Sequence, residues 1–345
     1  MQGDPAGLVR PVSAPLIPWW LRNRHLQSIY PSFPARRRGV MRRAAPLLAA
    51  SREWIIDCGT GVRLLSHYAV HGPRSTGAAR SLALLLHGWE GSSDSLYILA
   101  LAQHLYERGF DVLRLNLRDH GASHHLNAEL FHSCRIAEVV GAVQAIQARW
   151  PGQPLNLVGF SLGGNFWLRV GARAAQAGLR IERIVAISPV LDPERTLAAL
   201  EGGHPLYRAY FVWKWTRSLR RKQQVWPDRY DFREILRDRT LTSMTDVLVR
   251  RYTDFPDLGS YLRGYALTGD VLAPLTAPAR IIAAADDPMI PADDLARIAH
   301  SPQLRISLSP HGGHCGFVTR MRGPGWIAEE IVRELEAGRA IAAGS

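Results

Sequence analysis

Cysteine is scarce. Cys58, Cys134 and Cys315 are the only three in 345 residues, and no two form a CxxC pair. That speaks against a disulfide scaffold or a zinc ribbon and agrees with a reducing compartment. Lysine is scarcer still, Lys214 and Lys222 alone, so the net charge of +12 is almost wholly arginine. Long apolar runs are missing too. Residues 44–50 are apolar but too few to span a bilayer, and residues 1–12 contain Asp4 and do not read as a secretory signal. A cytoplasmic location is the expectation. There is no HExxH for a metal, no GxGxxG after a strand for a dinucleotide, and no zinc-finger or RNP motif for nucleic acid. Neither a cofactor, a metal nor a nucleic-acid partner is expected. The arginine excess has two readings, the codon bias of a GC-rich genome or attraction to an anionic surface such as a membrane.

What is present is globular in its proportions, 47% hydrophobic and 21% charged, and long enough for one α/β domain with an insertion. Residues 1–50 read as an irregular extension, because Pro15, Pro18, Pro31 and Pro34 oppose a long helix. Its dense aromatics, Trp19 and Trp20, suggest that it docks on the rest of the chain. Residues 54–56 and 63–70 look like an antiparallel pair at a sheet edge. Segment 81–86 is almost wholly apolar and 155–159 nearly so, as strands buried on both faces are, and 110–116, 181–187, 280–284 and 304–308 also read as strands. Helices are predicted over 95–108, 133–150, 165–177, 292–300 and 326–337. Such alternation predicts a parallel sheet with helices on both faces, formed by residues 51–194 and 271–345. Residues 195–270 break the pattern and read as an inserted helical cap.

Gly159-Phe160-Ser161-Leu162-Gly163-Gly164 stands between a buried strand and a helix. GxSxG in that setting is a nucleophile elbow, a turn too tight for side chains at its flanks, with the serine at a helix N-terminus that favours developing negative charge. A serine hydroxyl needs a base. In chain order an acid and then a histidine follow. Asp287, in Asp286-Asp287-Pro288-Met289-Ile290-Pro291, is the candidate acid, and Asp286 the candidate loop cap, with exchanged roles left open. His314, in His311-Gly312-Gly313-His314-Cys315-Gly316-Phe317, is the candidate base, and His311 a loop histidine. The oxyanion would be held by the backbone N–H groups of Leu162 and Trp89, the latter from the His87-Gly88-Trp89-Glu90-Gly91-Ser92 loop. His87 reads as structural, and His120, His124 and His125 as rim residues rather than metal ligands.

In 204–230, Leu206, Tyr210, Trp213 and Leu219 fall on one helical face. The block reads equally as an acyl- or lipid-binding cap, with Tyr207, Phe211, Trp213 and Trp215 as candidate substrate contacts, or as a helix that packs on the sheet domain.

These residues resemble the YheT-like branch of the α/β hydrolases, which includes the animal ABHD-type lipid hydrolases. The likeness runs from about Pro18 to the C-terminal helix. It rests on Trp20…Asn23-x-His25-Leu26-Gln27-Ser28-Ile29, Leu86-His87-Gly88-x-Glu90-Gly91-Ser92, GFSLGGN at 159–165 and HGGHCGF at 311–317. Ser28 departs from the family's usual threonine. The resemblance implies an α/β-hydrolase fold, a Ser161–Asp287–His314 triad and hydrolysis of carboxylic esters, in some relatives of phospholipids or triacylglycerols. A membrane-surface phospholipase and a catalytically silent binding module are the rival expectations. Acyl length and oligomeric state stay open.

Overall fold

The computed structural model describes residues 15–72, 80–323 and 325–342. Eight strands form one sheet in the order β1-β2-β4-β3-β5-β6-β7-β8. The chain enters through β1 (Arg52–Asp57) and β2 (Arg63–Ala69), then builds β3 (Leu82–Leu86), β4 (Asp111–Leu115), β5 (Leu155–Phe160), β6 (Ile181–Ile187), β7 (Ala279–Ala284) and β8 (Leu304–Ser309). β1, β2 and β4 pair antiparallel. From β4 across to β8 every pairing is parallel. The edge hairpin and the parallel core both follow the sequence expectation.

The central strands β3, β4, β5 and β7 are buried on both faces because helices cover both. Leu82, Leu84 and Leu86 point into one core, packed by Val139, Val143 and Ile146 of α4 (Ile136–Arg149) and by Phe166 and Trp167 of α5 (Leu162–Gly171). Ala83 and Leu85, one residue out of phase, point into the other. There they meet Ile98, Leu101 and Leu105 of α3 (Leu96–Glu107) and Ile331 and Leu335 of α10 (Trp326–Ala342). Between β6 and β7 stand α6 (Pro193–Gly202), α7 (Pro205–Val225), α8 (Leu241–Tyr252) and α9 (Leu258–Arg263), within the segment read as an insertion.

Two expectations fail. Residues 1–14 lie outside the described structure, but the rest of the extension is not irregular. After α1 (Arg24–Ile29) it forms α2 (Arg37–Ala50), 14 residues long with Pro46 inside it. The four prolines that opposed a helix all precede α2. Val40, Ala44 and Leu47 recur at helical spacing and are buried, Val40 against Leu96 and Leu99 of α3. The helix predicted over 292–300 is instead a short 3-10 stretch, Ala292–Arg297. Its acids serve as ion-pair partners: Arg195 binds Asp293 at 2.7 Å and the fully buried Asp294 at 2.6 Å. No described helix is long and apolar enough to cross a membrane.

Candidate active site

Ser161 sits at the turn from β5 into α5 with φ 52° and ψ −120°. A residue with a Cβ holds such a conformation only at a cost of about 1–3 kcal/mol, so the surroundings must enforce it. They do so by close approach. A Cβ on Gly159 would lie 2.5 Å from the Gly163 carbonyl, and one on Gly163 would lie 2.5 Å from the carbonyls of Leu86 and His87. The Ser161 N–H is anchored on the Ile187 carbonyl at 2.8 Å.

The same carbonyl receives the loop after β8. Cys315 Sγ reaches Ile187 O at 3.5 Å, and the Cys315 N–H donates to Ser188 Oγ at 3.2 Å. The loop carrying His314 is therefore pinned at the carboxyl end of β6, beside the elbow. His314 Nδ1 lies 2.9 Å from Asp287 Oδ2. The other Asp287 oxygen accepts from the Met289 and Ile290 N–H groups at 2.8 and 3.1 Å. Burial by itself disfavours the imidazolium, but the carboxylate beside it prevails, and the His314 pKa is held well above 6.5. Asp286 turns the other way. It accepts from the N–H groups of Gly312 and Gly313, both at 2.9 Å, and sits 3.3 Å from His311 Nδ1.

On the opposite side of Ser161 runs the turn after β3. A Cβ on Gly88 would lie 3.2 Å from Ser161 Cβ. The turn is closed by Gly91 N–H on Gly88 O at 2.9 Å, with Glu90 at φ 57°. Tyr97 Oη accepts from the Gly88 N–H at 3.0 Å. His87 is buried and bonds only backbone, Gly88 O at 2.8 Å and Leu117 N–H at 3.3 Å. His120 does likewise, at 2.7 Å from Arg118 O and accepting from the Glu90 N–H at 3.2 Å, and burial brings its pKa down to about 4. The N–H groups of Trp89 and Leu162 donate to no group among the described residues. No cluster of three or more metal-ligating side chains occurs among them either.

Residues that sequence reasoning left without a role come from α1. Asn23 caps that helix through the His25 and Leu26 N–H groups at 2.9 and 3.1 Å. Gln27, fully buried, donates to Leu21 O and Val318 O at 2.7 and 3.0 Å and accepts from the Val318 N–H at 2.6 Å. Ser28 Oγ accepts the His314 N–H at 2.8 Å. A Cβ on Gly316 would overlap the Gln27 carbonyl. The histidine loop thus rests on α1, and the run Asn23-x-His25-Leu26-Gln27-Ser28 is its cradle. The signal available in the sequence was the run itself, which carries part of the family resemblance. Gln27→Ala leaves these carbonyls and the Val318 N–H unpaired, so it is expected to lower stability by about 3 kcal/mol in urea denaturation. Ser28→Ala should reduce kcat more than it raises KM, and Ser28→Thr, which keeps the acceptor, should restore it.

The cap residues divide. Tyr207 is buried, with its hydroxyl 2.9 Å from His25 Nδ1. Phe211 stacks on Trp89 at 5.3 Å and Trp215 meets the same indole edge-on at 5.3 Å. Trp213 does not join them. It is 56% exposed, with Leu206 and Tyr210 on the outer face of α7. The face foreseen from sequence is therefore wrong: Leu219 is buried, and the inward stripe is Tyr207, Phe211, Trp215, Leu219 and Lys222. Lys222 decides the rotation, because its ammonium is buried against Asp119 at 2.7 Å.

The sequence pattern of the family described as the alpha/beta hydrolase fold matches residues 84–320. The chain belongs to the α/β hydrolase family. Among curated proteins it resembles the putative esterase YheT of Escherichia coli, 24% identical over 72% of this chain and 74% of that one. It also resembles human protein ABHD15, 27% identical over 78% of this chain and 58% of that one. Solved structures of an esterase and a phospholipase share its fold. The Pyrococcus furiosus esterase PF2001 gives a TM-score of 0.56 at 15% identity, covering 84% of this chain and 91% of that one. A bacterial membrane phospholipase A gives 0.55 at 17% identity, covering 89% and 92%.

Proposed function

We propose that this α/β hydrolase cleaves carboxylic esters through an acyl-enzyme, with Ser161 as nucleophile, His314 as base and Asp287 as its orienting acid. The observation that carries the reading is the sharing of one carbonyl, Ile187 O, by the elbow and the loop that carries His314, whose imidazole pairs with Asp287. His314 takes the Ser161 proton as Oγ attacks the ester carbon, and Asp287 stabilises the imidazolium that forms. The unengaged N–H groups of Leu162 and Trp89 receive the oxyanion. His314 then protonates the leaving alkoxide, and in the second half it activates the water that releases the acid.

Phe211, Trp215 and Tyr207 face the site from α7 and form the proposed acyl wall; Trp213 is withdrawn from it. Each buried methylene contributes about 0.8 kcal/mol, though only the part realised in the transition state raises kcat. On this reading kcat/KM rises from acetyl to medium-chain p-nitrophenyl esters, and Phe211→Ala flattens that rise while sparing the acetyl ester. A parallel fall for every chain length, with a lower melting temperature, would mean that Phe211 only packs against Trp89.

A further inference from the structure

The positive charge is not spread as a codon bias would spread it. Residues 5–52 contain nine arginines and no acidic residue, and residues 202–227 contain six basic residues and no acidic one. The rest of the chain holds 27 basic and 30 acidic residues, so it is net negative. Elsewhere arginines are matched by carboxylates, as Arg118 is by Glu138 and Arg280 by Glu330 and Glu334. Among the described residues, no arginine of the first stretch, nor Arg217, Arg220 or Arg221 of the second, ion-pairs with a carboxylate.

The fold joins these two stretches. His25 of α1 bonds Tyr207 at 2.9 Å, and its ring lies 5.1 Å from that of His204, at the first turn of α7. Exposed hydrophobic bulk gathers in the same stretches. Of the eleven large hydrophobic side chains exposed among the described residues, nine belong to them, including Trp19 at 81% and Leu206 at 62%. Along α7 the outward positions are spaced at 206, 210, 213, 217 and 220. They run from Leu206, Tyr210 and Trp213 to Arg217 and Arg220, an aromatic half followed by a cationic half on one face.

We propose that the face formed by α1 with its preceding turn and the outer side of α7 docks on an anionic lipid bilayer. Arginines attract the headgroups, and the exposed indoles and leucines enter the boundary between headgroups and acyl chains. Charge complementarity selects an anionic surface. Exposed Leu16 and Leu206 select lipid over nucleic acid, which offers no apolar layer for aliphatic side chains. The face borders the proposed site, because α1 also carries Ser28, which holds the His314 N–H. The inference goes beyond the catalytic reading and does not depend on turnover.

The test is co-flotation of the full chain with vesicles of equal parts phosphatidylglycerol and phosphatidylcholine, and with pure phosphatidylcholine, at low and high salt. Two paired variants accompany it, Trp19→Ser with Trp20→Ser, and Arg217→Glu with Arg220→Glu, each checked for an unchanged melting temperature and acetyl ester turnover. The expected result is selective binding to the anionic vesicles, reduced about tenfold or more by each pair. The tryptophan pair should also remove the binding that survives high salt. Equal binding to both vesicle types, or wild-type binding by both variants, overturns the proposal. So does an anionic binding that salt abolishes entirely, that the tryptophan pair leaves intact and that duplex RNA competes away; that outcome assigns the face to nucleic acid. Vesicle binding by a protein without ester turnover would sink the catalytic reading and leave this one standing.

Discussion

Ser161→Ala is expected to lower kcat for p-nitrophenyl esters by about 10⁶-fold and to abolish labelling by a fluorophosphonate probe. The magnitude follows from what the serine supplies: without Oγ no acyl-enzyme forms, and the oxyanion amides alone must act on attack by free water. Fold and melting temperature should barely change. Alanine accepts the same backbone strain as serine at φ 52°, and the close contacts that enforce the turn come from Gly159 and Gly163, not from Oγ. Steady-state kinetics together with gel-based labelling measure both effects. A labelled alanine variant would place the nucleophile elsewhere, and Cys315, beside the proposed base, would be the next residue to test.

Asp287→Asn should cost about 10⁴-fold in kcat, while Asp286→Asn should cost far less. The two side chains differ in what they hold. Asp287 Oδ2 faces His314 Nδ1 at 2.9 Å, where an amide can present its NH₂ and select the wrong tautomer. Asp286 Oδ1 accepts two backbone N–H groups, a task that an asparagine oxygen can perform. The pH profile separates the roles further. On the proposed mechanism the neutral imidazole accepts the serine proton, and the carboxylate holds the His314 pKa well above 6.5. Wild-type kcat/KM should therefore fall as pH drops, with its half-point above 6.5. In Asp287→Asn the largest raising influence is gone, so the acid limb should move to lower pH even as the plateau collapses. Equal losses at 286 and 287, or an unmoved acid limb, would refute the assignment.

Much of this was legible in the chain because it is local. The strands were readable from short, largely apolar runs, most plainly the wholly apolar Leu82–Leu86, which only burial on both faces explains. The elbow was readable because two glycines must flank a turn with no room for a Cβ. α2 was missed because the prolines before it drew attention from the 40, 44, 47 spacing. The order of Ser161, Asp287 and His314 was visible, whereas the choice between Asp286 and Asp287 rested on a spacing habit. The two are chain neighbours, and only the loop conformation sends one toward His314 and the other toward Gly312 and Gly313.

The sequence alone therefore determined the parallel sheet, the strained serine turn and the candidate acid and base loops, since period-2 and period-3.6 burial and glycine sterics act over a few residues. It could not orient α7. That helix is aromatic on both sides, so hydrophobic contrast was too weak to choose a face, and the buried Lys222–Asp119 pair, spanning 103 residues, chose it instead. Nor could it reveal that Gln27 supports Val318 across 291 residues. Such pairings exist only once the sheet has brought distant loops to one edge, where buried polar groups with no access to water must find each other.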